Sequence, residues 1–153
     1  MKAYRSTTRN VDADAVIRTT PASLACLIFS GMSLKYPDIN WIFSHGGGAL
    51  TAFAERFLIQ MVTTPPYKDK FTRAQVEGEL KRFFYDTAQI SNTVTIDALA
   101  QLVPVSQIVY GTDFPFRDGA EENGGLSAYR FEAKDLRAIE RDNALKLLPT
   151  LKA

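Results

Sequence analysis

Ile39-Asn40-Trp41-Ile42-Phe43-Ser44-His45-Gly46-Gly47-Gly48 is the stretch on which the fold turns. Its first six residues are rich in β-branched and aromatic side chains, the composition of a short buried strand. Three glycines then permit a tight turn. Beyond them, apolar residues fall at 50, 53, 54, 57, 58 and 61 (Leu, Phe, Ala, Phe, Leu, Met). That is the i, i+3, i+4, i+7, i+8, i+11 series of one helix face. Strand, glycine turn and helix make one βα unit.

Reading outward from this unit, further elements of the same kind appear. Upstream, Thr20-Pro21 reads as an N-cap followed by proline at the first helical position. Leu24, Leu27, Ile28 and Met32 continue that helix to an end near Tyr36-Pro37. Downstream, Thr63-Thr64-Pro65-Pro66-Tyr67 breaks the pattern. Thr72 with Gln75 forms a capping box for a short helix carrying Val76 and Leu80. Arg82-Phe83-Phe84-Tyr85-Asp86 reads as a second strand. Asn92 caps a helix with Ile96, Leu99, Ala100 and Val103 on one face, stopped by Pro104. Gln107-Ile108-Val109-Tyr110 is a third strand. Phe116 to Arg130, with Gly119, Gly124, Gly125 and several acids, is expected to be a loop. A last helix carries Leu136, Ile139, Ala144, Leu147 and Leu148. Strands alternating with helices imply an α/β fold with three parallel strands and right-handed crossovers.

Composition bounds the function. The chain has 153 residues, one domain's worth, with 46% hydrophobic and 23% charged residues. A formal charge of +1 argues against a nucleic-acid footprint or an electrostatic membrane anchor. No apolar run approaches the roughly 18 residues of a membrane span. The basic first nine residues lack the apolar core of a secretory signal. A lone cysteine, Cys26, excludes an internal disulfide framework and suits a reducing compartment, so a cytoplasmic location is expected. Cys26 itself is expected to be buried filler beside the apolar face of the first helix. The single histidine, His45, limits metal chemistry most of all.

The polar motifs all follow strands, where ligands bind in open α/β sheets and (β/α)8 barrels alike. His45-Gly46-Gly47-Gly48 places an imidazole, able to act as acid or base near neutral pH, beside a helix N-terminus that favours anions. The plain alternative is a glycine-rich turn whose histidine bonds a neighbouring carbonyl. In Gly111-Thr112-Asp113-Phe114-Pro115, Asp113 stands where a carboxylate binds a divalent metal or orients a base; otherwise it is a turn aspartate. Asp86 in Tyr85-Asp86-Thr87 reads first as loop chemistry and second as a supporting acid. Arg56 lies roughly 130° from the centre of its helix's apolar face, so it points away from the core.

Taken together, Ser30 to Gly48, Phe83 to Ala88, Ile108 to Phe116 and Asn143-Ala144-x-x-Leu147-Leu148-Pro149 resemble the amidohydrolase-related family. The similarity is greatest to its branch of aminocarboxymuconate-semialdehyde and aromatic-acid decarboxylases, and it runs from about Thr20 to Pro149. Residues 1–19 match nothing assignable. The resemblance implies a (β/α)8 TIM barrel with one divalent metal, usually zinc, at the carboxyl-end face. In the family the metal is held by a His-x-His, a further His and the Asp of Gly-Thr-Asp. Only the last maps here, onto Asp113. The resemblance makes His45 the acid/base. It makes Arg56 a residue that reaches a neighbouring subunit's site to meet a substrate carboxylate, and it puts Phe114 in the substrate pocket.

A complete barrel needs at least about 200 residues. The chain therefore reads as the C-terminal half, the sixth to eighth strands, from a fragment, a split gene or a truncated frame. A catalytic zinc normally takes three protein ligands, and this chain offers one. Part of a decarboxylase of a small aromatic or muconate-like acid is the first reading. A hydrolase of the same superfamily and a non-catalytic half-barrel are the alternatives. Open sheet edges lead to the expectation of a homo-oligomer or of assembly with a complementary N-terminal half.

Overall fold

The computed structural model describes residues 13–152. The basic first nine residues lie outside the described residues. Three short strands, β1 (Ile42–Phe43), β2 (Phe84–Asp86) and β3 (Ile108–Val109), form one parallel sheet in the order β1-β2-β3. Phe43 stands beside Tyr85, and Tyr85 beside Ile108. Parallel neighbours need crossovers. These are supplied by α3 (Leu50–Thr63) with α4 (Arg73–Arg82), and then by α5 (Thr93–Leu102). The fold is the α/β, partial-barrel arrangement, with each strand shorter than the run of β-forming residues that predicts it.

The core lies around the central strand. Phe83 and Tyr85 are fully buried among Ile28, Met61, Leu80 and Leu99. Tyr85 meets the cost of burying its hydroxyl by donating to the Leu80 carbonyl at 2.9 Å. Local signals hold where they are strongest. Thr72 and Gln75 make the reciprocal capping box at α4, and Asn92 accepts from the Thr95 N–H at α5.

Several expectations are corrected. The first helix, α1 (Ala13–Phe29), begins well before Thr20 and contains Pro21. Proline's ring fixes φ within the helical range, so its missing N–H costs a hydrogen bond rather than the helix. The chain then breaks at Gly31 (φ 72°) into a single turn, α2 (Met32–Lys35), which leaves Met32 39% exposed and off the buried face. Cys26 is exposed, not buried. Leu24 and Ile28 define the buried face, and a residue two places from each points the other way. Phe53, at the margin of the α3 stripe, is also exposed, as is Leu148.

The expected loop from 116 to 130 contains a helix, α6 (Gly119–Ala128). Asp118 caps it through the Ala120 N–H, Glu121 and Glu122 suit the positive end of its dipole, and Leu126 is buried. Its glycine content serves packing. A Cβ at Gly125 would come within 1.8 Å of the Ser91 carbonyl oxygen. The last helix is not continuous either. A π-helical turn, Ala138–Asp142, separates α7 (Ala133–Arg137) from α8 (Asn143–Leu147).

That turn has a use. Ile139 presents its carbonyl to the Tyr110 N–H at 3.0 Å, and Asn143 Nδ2 donates to the carbonyls of Ile108 and Val105 at 2.8 and 2.9 Å. The outer edge of β3 is therefore covered. At the other end of the sheet, among the described residues β1 pairs only with β2, and Ile42 is 54% exposed. The irregular segment between α2 and β1 is gathered by one side chain. Arg82 donates to the carbonyls of Ser33, Pro37 and Ile39 at 3.1 Å each, while Glu79 holds it at 2.8 Å. Among the described residues no helix is long and apolar enough to cross a membrane.

Candidate active site

The polar residues at the carboxyl ends of the three strands are wired to one another through β2. At the end of β1, Gly46 (φ 60°) sits so close to the loop after β2 that a Cβ there would lie 2.5 Å from Ile90 Cδ1, which would have to shift. The turn is thereby pressed onto the loop that follows β2. His45 donates its backbone N–H to Asp86 Oδ1 at 2.7 Å, and Ala88 donates to the same oxygen at 3.1 Å. Burial pushes the Asp86 carboxyl above the usual carboxylate range, a push opposed by these two N–H groups. Asp86 is thus an anchor for His45, as the plainer reading of its motif has it.

The imidazole is oriented as well. His45 Nδ1 lies 3.1 Å from the Ala88 carbonyl oxygen. A carbonyl only accepts, so Nδ1 carries the proton of that bond and Nε2 is left with the lone pair in the neutral ring. The turn reading of His45, an imidazole bonded to a neighbouring carbonyl, is what the structure shows.

The third strand is stitched on by Thr87. Its hydroxyl donates to the Gly111 carbonyl at 3.0 Å and accepts from the Gly111 N–H at 3.1 Å. Two residues on, Asp113 Oδ2 accepts from the side-chain amide of Gln89. Residues 88 and 89 thereby touch both motifs, the first His45 and the second Asp113. Glu122, on α6, accepts the Gln89 backbone N–H at 2.8 Å.

His45, Gln89 and Asp113, one after each strand, all hold left-handed backbone, with φ of 55°, 57° and 63°. Non-glycine residues adopt it at a cost, and such strain gathers at functional sites. Two of the three are readable as site candidates from their motifs. Gln89 is not, because nothing about a glutamine after Asp-Thr-Ala marks it.

Phe114 stands 83% exposed beside Asp113, and Arg56 is exposed on α3. Neither is drawn into this hydrogen-bonded network. Among the described residues no three His, Cys, Asp or Glu side chains gather where they could hold a metal ion.

Polar residues gathered at the carboxyl ends of parallel strands are the arrangement of a (β/α) barrel's catalytic face. The amidohydrolase family pattern matches residues 16–150, and the chain belongs to that family. It is 31% identical over 129 residues to 6-methylsalicylic acid decarboxylase of Penicillium expansum, covering 82% of this chain and 40% of that protein. It is 26% identical over 134 residues to 2-amino-3-carboxymuconate-6-semialdehyde decarboxylase of Caenorhabditis elegans, covering 84% and 32%. Among solved structures, a dihydroxybenzoic acid decarboxylase from Polaromonas sp. JS666, with bound manganese and the inhibitor 2-nitroresorcinol, superposes with a TM-score of 0.76. The identity there is 22%, over 100% of this chain and 49% of that one. The chain spans about two fifths of the length of the curated relatives it matches.

Proposed function

We propose that this chain is the C-terminal part of a decarboxylase acting on a small aromatic or muconate-like carboxylic acid. The observation that carries the reading is the orientation of His45. Its Nδ1 is committed to the Ala88 carbonyl, so Nε2 faces its task alone, at the strand ends that also bear Asp113. In such a reaction the bond between the ring or chain carbon and the carboxyl group breaks, carbon dioxide leaves, and the electron pair stays on carbon. Protonated His45 delivers its Nε2 proton to that carbon. Arg56 is assigned to the substrate carboxylate across a subunit boundary, Phe114 to the pocket wall, and Asp113 to a divalent metal, zinc by family resemblance. The remaining ligands belong to a complementary half, and the assembled protein is taken to be an oligomer in the cytoplasm.

The test has two arms. The chain alone should hold zinc weakly and release no carbon dioxide from 6-methylsalicylate or 2,6-dihydroxybenzoate. Combined with an N-terminal half bearing His-x-His, it should release carbon dioxide and incorporate one solvent deuterium at the vacated carbon. His45→Ala should abolish both. Release that survives His45→Ala, or ester hydrolysis without carbon dioxide, would overturn the assignment.

A further inference from the structure

A cavity of about 130 Å³ lies between the loop after β2 and the first turn of α6, lined by Gln89, Ser91, Asn92, Arg117, Glu121 and Glu122. α6 is held to that loop at two points, where Gly125 lies against the Ser91 carbonyl and where Glu122 accepts from the Gln89 N–H. Glu122 is 3% exposed. Its Oε1 accepts from Gln89, but Oε2, fully buried, has no hydrogen-bond partner among the described residues.

A buried carboxylate oxygen without a donor is costly. The candidates to supply one are a metal ion, water and an organic cation. The gathered acids and histidines needed for a metal are absent among the described residues. Water satisfies the hydrogen bond but leaves the charge unpaired, and at roughly 30 Å³ of liquid volume each, one molecule fills a fraction of the space. Arg117 is turned to Glu121 at 3.6 Å, and both side chains are largely exposed. Among the described residues, Glu122 is the lining carboxyl with no ion-pair partner. Ser91 donates to the Thr87 carbonyl at 3.5 Å, so its hydroxyl oxygen is available to accept. The lining thus offers acceptors and a negative charge. A primary ammonium group brings three donors and one positive charge.

We propose that this cavity binds a small molecule bearing a primary ammonium group, with Glu122 as its counter-ion and Ser91 as a second acceptor. The cavity adjoins the strand-end network through Gln89, but binding there needs no proton transfer by His45, so the proposal stands whether or not the decarboxylase reading does. Titration calorimetry on the full chain tests it with methylammonium chloride against tetramethylammonium chloride, which has the same charge and no donors. Saturable binding is expected for the first cation and none for the second. Glu122→Gln, which keeps an acceptor for the Gln89 N–H, should weaken methylammonium binding about tenfold or more. Glu121→Gln should leave it within a factor of a few. If circular dichroism shows Glu122→Gln unfolded, Ser91→Ala takes its place, with a several-fold loss expected. Equal heats for the two cations, no saturable heat, or undiminished binding in the deciding variant would overturn the proposal.

Discussion

The two edges of the sheet are built in opposite ways. On the β3 side, the outward groups of Ile108 and Tyr110 are taken up by Asn143 and by the Ile139 carbonyl of the π-helical turn. On the β1 side, Ile42 is 54% exposed and the strand has one neighbour. An unpaired edge is a template for another chain, and proteins blunt such edges when they are meant to stay free. The β3 edge is finished by its own chain, whereas among the described residues nothing pairs with the outer side of β1. Of the two open edges expected from sequence, one is open among the described residues.

Asn143→Ala attacks the finished edge and should have the largest effect. It strips one buried and one part-buried carbonyl of their donor, and we expect a loss of about 3 kcal/mol in urea unfolding. If the loss is under about 0.5 kcal/mol, the edge is not closed by Asn143. Ile42→Lys attacks the open edge. Wild-type chain should self-associate in sedimentation runs across a concentration series, and the lysine should weaken that association roughly tenfold with little change in fold stability. A concentration-independent monomer would show that β1 is not an adhesive edge.

Two smaller predictions concern how the central strand serves each side. Gln89 reaches toward β3's loop from a left-handed backbone. Gln89→Gly relieves that strain and loses an exposed hydrogen bond, so stability should rise by roughly 0.5 kcal/mol. A fall would mean that glutamine stands there for stability. Asp86 serves the β1 side. Its folded-state carboxyl is raised, so the folded chain binds protons more readily than the unfolded one. Its contribution is full below the unfolded value of about 3.9 and is lost as pH rises through the folded value. Asp86→Asn, whose amide oxygen still accepts from His45 and Ala88, should flatten that decline between acid and neutral urea titrations. An unchanged slope would assign it to another group.

Legibility followed the range of the forces involved. The capping box at Thr72, the Asn92 cap and the α3 face depend on residues within a few positions, and each is readable. His45 and Asp113 are readable because their glycine-bearing turns are themselves signals. The α6 helix is not, because its glycines argue for a loop and the contact that uses Gly125 is with Ser91, far away in sequence. Gln89 and Glu122 are invisible for the same reason. What distinguishes them is a backbone angle and a burial imposed by distant partners. The two-sided clamp of Asn143 likewise depends on a π-helical turn that no periodicity announces.

Arg82 carries a consequence for the order of assembly. It is the last residue of α4, and its reach to Ser33, Pro37 and Ile39 exists only once that helix has wound and Glu79 has steadied the guanidinium. The approach to β1 has no ladder of its own to nucleate on. We therefore expect α4 and β2 to form early and β1 to be seated late, although β1 comes first in the chain. Removing the Arg82 fork would then quicken unfolding while leaving the rate of folding nearly untouched.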